Sequence, residues 1–264
     1  MENFKNQNFD SSYPTKISFL MILRGKALLR YGVFFLLVVI SLILDFSDIS
    51  SYGDIFLGLA LGFLTILIFL ITWDWLALKG KLLEGFAKSK GLTKKLDFKR
   101  SVSHPESIIN LGRYRERRAC FVDEAGDKVI ELVYVTKHGN EEERDAISGL
   151  DITMISSRLR KKYPFAQALN KKLKLTPKHL IKQEPHLTES NEFNRNYYLN
   201  ASTPQDAFYV FNPAVIDAII SQKNDISVEV CDDVLTIFTA SPVKTIKELN
   251  EVWNSLLTIQ DALE

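Results

Sequence analysis

Two stretches of apolar character stand near the start of the chain, and alternating or helical patterns of apolar residues follow them. From Ile55 to Trp73 the sequence reads IFLGLALGFLTILIFLITW, 19 residues without a charge. At about 1.5 Å rise per residue, such a helix approaches the roughly 30 Å hydrocarbon thickness of a bilayer. Trp73 and Trp75 flank Asp74 at its end, where indole rings favour the headgroup region. The earlier run, Tyr31 to Leu44, has 14 residues and is too short alone. Ala27, Leu28, Leu29 and Phe46 lengthen it, and Arg30 can extend its guanidinium into the headgroups. A secretory signal peptide has an apolar region of this length. The long polar tail, residues 1–26, the lack of a small-x-small site in DFSDISSYGD and the second run close behind instead favour a transmembrane helical hairpin over residues 27–78.

Beyond it the pattern is that of a mixed domain, residues 101–264, after a basic juxtamembrane segment, residues 79–100. RRACFVDEAGDKVIELVYV predicts two strands joined around Ala125 and Gly126, the second apolar on both faces and so covered on both sides. ISVEVCDDVLTIFTA predicts a second hairpin that turns at Asp232 and Asp233. Pro213 suits a first helical turn, and AVIDAIISQK then places Val215, Ile216, Ile219 and Ile220 on one face. A last helix, from about Lys244 to Ala262, aligns Ile246, Leu249, Trp253, Leu256 and Leu257. Lys161 to Glu192, rich in Lys, Pro and Glu, reads as loops with an edge strand. The expected fold class is α+β: a transmembrane hairpin, then a mainly antiparallel sheet with a C-terminal amphipathic helix.

Charge sets the expected orientation. The tail to Arg30 holds Lys5, Lys16, Arg24, Lys26 and Arg30, and the segment after the second span holds Lys79, Lys81, Lys88, Lys90, Lys94, Lys95, Lys99 and Arg100. The connector Asp45 to Asp54 has three Asp and no Lys or Arg. Under the positive-inside rule both termini face the cytoplasm, which makes the chain a multi-pass protein of the cytoplasmic membrane. The basic segment, with Leu82, Leu83 and Phe86 as an apolar edge, either enforces this topology or lies on anionic lipid. Gly58 and Gly62 form G-x-x-x-G, a spacing for packing against the first helix or against a second copy. The net charge of +1 speaks against a nucleic-acid binder.

FNRNYYLNASTPQDAFYVFNPAVIDAII, followed by the strand pattern, resembles a bacterial family of membrane proteins of unknown function with a paired-helix anchor and an α+β cytoplasmic domain. The residues that carry the likeness are an aromatic strand (Phe193, Tyr197, Tyr198), the Asp206–Ala207 step and the aromatic-x-Pro helix start (Phe211, Pro213). It covers about Phe193 to Ala240, and Asn212 stands where Thr is usual. The resemblance implies no activity.

Candidate chemistry is sparse. Arg113, Arg115, Arg117 and Arg118 around Tyr114 could meet a phosphate or other anion, though Glu116 interrupts them and alternating charges often mark a solvated strand face. Cys120 and Cys231 lie far apart without a C-x-x-C pair. His104, His138, His179 and His186 lack metal-ligand spacing. Glu141, Glu142 and Glu143 read as a solvated loop or helix start. No cofactor and no catalytic residue is expected. The reading is a membrane-anchored scaffold or sensor whose cytoplasmic domain binds a protein or lipid partner. The alternatives are an enzyme without a local signature and an accessory subunit of a channel or transporter, the latter disfavoured because neither span has a charge at its centre.

Overall fold

The structure, a computed structural model, describes residues 78–108, 115–136, 149–172, 190–222, 225–239 and 243–264. The spans 27–46 and 55–73, with Gly58 and Gly62, lie outside them. Among the described residues no helix is long and apolar enough to cross a membrane.

From Leu83 onward the described residues belong to one compact α+β unit. It begins in helix α1, described over residues 78–89. Gly91, at φ +75, ends that helix, and the Leu92 N–H donates back to the Ala87 carbonyl at 2.9 Å, a reversal that disfavours a side chain. The apolar edge set against lipid by the sequence pattern is taken up within the protein. Leu83 and Phe86 are buried, and the Phe86 ring stands edge-on to Trp253 at 6.1 Å. Strand β1 (Thr93–Lys94) then pairs with β2 (Arg115–Val122), so part of the basic segment belongs to the sheet.

Strands β2 and β3 (Lys128–Thr136) form the expected antiparallel hairpin. Gly126 takes φ +78 in its turn, and Asp123 Oδ1 accepts from the Asp127 N–H at 2.7 Å. Residues Val129 to Val133 are all buried, so β3 is covered on both faces. Next comes β4 (Gly149–Asn170), 22 residues long. It pairs on one edge with β3 and, further along, with β5 (Tyr197–Ala201); on the other edge it pairs with β6 (Ile226–Thr239). Ile155 thus lies between Ile130 and Ile237. All these pairings are antiparallel.

Two sequence expectations are corrected here. ISVEVCDDVLTIFT, Ile226–Thr239, is one 14-residue strand, not a hairpin. Asp232 adopts φ 54 and shifts the register instead of reversing the chain; a short polar side chain suits either use of left-handed backbone. Residues 161–170, read as loop and edge strand, are the second half of the central strand β4. Lys161, Lys162 and Pro164 fall where β4 bulges away from β6, between the pairs Arg158↔Val234 and Ala166↔Val230, and a bulge is where a sheet tolerates proline.

Four helices complete the unit: α2 (Asn191–Asn196), α3 (Pro204–Val210), α4 (Pro213–Ile220) and α5 (Ile246–Leu263). Each starts at a side-chain cap that accepts the N–H three residues on: Ser190 from Phe193, Thr203 from Asp206, Asn212 from Val215 and Thr245 from Glu248. Phe193 therefore sits in a helix rather than the expected strand, stacked on Tyr197 at 4.9 Å. In α4, Val215, Ile216 and Ile219 are buried as predicted, while Ile220 is half-buried. The buried face of α5 holds Leu249, Trp253 and Leu256, with Val252 and Ile259 beside them, and it packs on α4, β4 and β6.

Candidate functional site

Of the four arginines read as an anion site, Arg113 lies outside the described residues, and Arg115 is described only by its place in β2, opposite Val135. Arg117 turns into the protein. Its Nε lies 2.6 Å from Glu131 Oε1, and its Nη1 donates to the Leu96 carbonyl at 3.3 Å and to the Phe98 carbonyl. Arg118 occupies the β2 bulge, where the register shifts between Arg117 and Ala119. Arg100, from the basic segment, is likewise internal. It donates to Ser156 Oγ and to the Asp127 carbonyl, both at 2.9 Å, and to the Gly126 carbonyl, and burial is the first cause of its lowered pKa. These two guanidiniums hold the hairpin together.

A second polar grouping fastens the segment 101–108 onto the sheet. Glu229 of β6 is 1% exposed. Its carboxylate accepts from the Ser107 hydroxyl, from the Ile108 N–H at 2.8 Å and from Gln167 Nε2 at 2.5 Å. Asn200 extends the network, donating to Gln167 Oε1 at 3.1 Å and to Glu106 Oε2 at 3.2 Å. Three donors on one buried carboxylate offset the loss of its hydration. Nearby, Ser103 donates through its N–H (2.5 Å) and its hydroxyl (3.0 Å) to Asp232.

Here Ser103, His104, Cys231 and Asp232, residue types that serve nucleophilic catalysis elsewhere, come together. Their arrangement serves attachment. The His104 ring lies flat on Phe165 at 3.7 Å, and its Nδ1 accepts from the Glu106 N–H at 3.3 Å. Burial pushes the Cys231 thiol up, against hydrogen bonds from the His104 backbone and Ser103, and a thiol kept protonated is a poor nucleophile. Asp233 pairs with Arg158 at 3.2 Å. Among the described residues no group of three or more His, Cys, Asp or Glu is placed to hold a metal.

The third grouping is open to solvent. Where β4 bulges, Arg158, Arg160, Lys161 and Lys162 are exposed in near succession. Arg158 meets Asp127 and Asp233, and Arg160 meets Glu264 at 3.3 Å. Lys161 lies 4.9 Å from the centre of the Tyr163 ring, and a hydrogen bond to Tyr163 is the first cause of its raised pKa. The Tyr163 ring in turn lies 5.8 Å from Tyr209 of α3. Ala207 and Val210 of that helix and its C-cap residue Phe211 are buried, the i, i+3, i+4 pattern of one buried stripe. Phe208 and Tyr209 therefore project outward, 51% and 56% exposed; Leu96 is the other exposed large apolar side chain among the described residues. Sequence reasoning passed over this corner. Its signal was present in D-A-F-Y-V-F, because a short helix that buries Ala207, Val210 and Phe211 cannot also bury the two aromatics between them.

No family model and no curated protein matches the chain. Among solved structures it is similar to the crystal structure of the mycobacterial trehalose monomycolate transport factor A, TtfA, at 11% identity and a TM-score of 0.42, over 70% of this chain and 94% of that one.

Proposed function

We propose that the chain is a membrane-anchored scaffold or sensor. The spans 27–46 and 55–73 hold it in the cytoplasmic membrane with both termini inside, and the α+β domain binds its partner at the corner of α3 and the β4 bulge. The observation that carries the binding role is the exposed pair Phe208 and Tyr209, with Tyr209 5.8 Å from the Tyr163 ring that Lys161 overlies, in a domain that turns nearly all its other described large apolar side chains inward. Aromatic side chains and arginine are enriched where proteins bind. The anchoring role is supported by 19 uncharged residues from Ile55 to Trp73 and by the charge asymmetry of the flanks.

Anchoring and orientation are tested on intact cells with a membrane-impermeant thiol reagent. Ser50→Cys reacts, and Lys247→Cys, on the exposed face of α5, reacts only after lysis. The reverse pattern overturns the orientation, and full-length chain in the supernatant after lysis without detergent overturns the anchor. For the corner, Phe208→Ser with Tyr209→Ser abolishes photo-crosslinks formed around α3 in native membranes and leaves the chain in the pellet. Unchanged crosslinks remove the corner from the reading.

A further inference from the structure

We infer that the occupant of the α3 and β4 corner is the anionic headgroup surface of the bilayer itself. This rests on the membrane-anchored reading and names the partner of that domain. The corner combines two features on one exposed surface. Phe208 and Tyr209 offer aromatic rings of the kind that settle at the depth of lipid headgroups. Lys161 reaches them through the Tyr163 ring, and the cations that flank it along the β4 bulge differ in their pairing. Glu264 accepts from both the Arg160 backbone N–H and its side chain and also acts on Lys161, whose ammonium lies over Tyr163, whereas Lys162 has no carboxylate partner among the described residues.

That composition discriminates between occupants. Lysine is depleted from the cores of protein interfaces, yet Lys161 stands within the corner, with its ammonium over Tyr163, whose ring neighbours Tyr209. Lysines interleaved with aromatic rings are the pattern of a surface that lies on acidic lipid. The rival lipid-contacting element, residues 79–100, lacks the apolar half of this pattern. Leu83, Phe86 and Leu92 are buried in the domain, and Arg100 is bonded inside it, which leaves Leu96 as its exposed large apolar side chain.

The test places the full chain in lipid nanodiscs of phosphatidylcholine alone or mixed with phosphatidylglycerol. Lysines are acylated with a water-soluble reagent and read one by one by mass spectrometry. On acidic discs, labelling of Lys161 and Lys162 falls by about fivefold or more relative to neutral discs, the factor that one basic side chain contributes near such a surface. High salt or Phe208→Ser with Tyr209→Ser removes the protection. A second variant, Lys161→Gln with Lys162→Gln, loses the slowing of amide exchange over residues 204–210 that acidic discs produce in the native chain. Equal labelling on both discs overturns the inference, as does protection of Lys94 and Lys95 with the corner open. Protection that appears on neutral discs and grows with protein concentration assigns the corner to a second copy and also overturns it. Failure of the chain to enter discs at all strikes the membrane-anchored reading instead.

Discussion

Arg117 on β2 and Glu131 on β3 form an inward ion pair, Nε to Oε1 at 2.6 Å, with the glutamate side chain 7% exposed. The arginine also ties down the Leu96 and Phe98 carbonyls, so it joins the segment after β1 to the hairpin. Removing it takes the paired cation from a buried carboxylate. Arg117→Ala is expected to destabilise the domain by about 3 kcal/mol, the low end for a broken buried pair because the arginine keeps some contact with water. Replacing both partners by Met is expected to cost much less. Thermal unfolding read by a thiol-reactive dye, which reports release of Cys120 and Cys231, measures both.

Glu229 gathers Ser107, Ile108 and Gln167. Truncation removes the acceptor these donors share in a dry interior, although Gln167 Nε2 also reaches the Glu106 carbonyl at 3.4 Å, so Glu229→Ala is expected to lower stability by about 3 kcal/mol. Glu229→Gln keeps one acceptor oxygen and is expected to lose less. The same dye assay orders the two, and hydrogen exchange over residues 101–108 should accelerate in the alanine variant.

Asp232 combines a left-handed backbone with a side chain that accepts twice from Ser103. Asparagine tolerates that φ and keeps one acceptor, glycine tolerates it without the contact, and alanine has neither advantage. Stability is expected to fall in the order Asp, Asn, Gly, Ala, with the alanine variant down by about 2 kcal/mol. A glycine variant weaker than alanine would show that backbone strain does not govern the site.

Thr245 starts α5 by accepting the Glu248 N–H at 3.1 Å, while Glu248 accepts from the Lys244 N–H at 2.8 Å. Thr245→Ala is expected to cost about 1 kcal/mol, and Thr245→Ser to cost little, measured as a shift in the unfolding midpoint.

The Cys231 thiol, raised by burial, gives stability a pH dependence. Below the ordinary thiol value of about 8.5 both folded and unfolded states hold the proton. Above it the unfolded thiol ionises first, so stability declines as pH rises until the folded thiol ionises too. Denaturant midpoints followed by tryptophan fluorescence should therefore fall above about pH 8.5, and Cys231→Ala should flatten that decline. Tyr197, raised for the same reason, adds a further decline at still higher pH.

The parts of this fold that depend on local chemistry were legible in the sequence. Gly126 between alternating strands, Pro213 before a stripe of Val and Ile, and the spacing of Leu249, Trp253 and Leu256 each carry their own instruction. The failures lie where a distant partner decides. Asp232 and Asp233 are good turn residues, and only the length of β4 holds them in a continuing strand. Lys161, Lys162 and Pro164 look like loop because they form a bulge, and the strand around them is fixed by β3, β5 and β6. Arg117 and Arg118 share one sequence signal, and the shift of pairing between Arg117 and Ala119 is invisible without the sheet. The exposed corner was overlooked for a different reason: two aromatics within an apolar run suggest a core until the narrow arc of a seven-residue helix is drawn.

Because β4 is completed on its second edge by β6, with Met154 meeting Phe238 and Ala168 meeting Val228, the middle of the sheet is assembled from segments made far apart in time. While the chain emerges from the ribosome, β4 carries an open row of amides and carbonyls until β6, Ile226–Thr239, has been synthesised. Such a row is a template for pairing with any neighbouring strand. Chains shortened before Thr239 should accordingly aggregate instead of leaving a smaller folded domain.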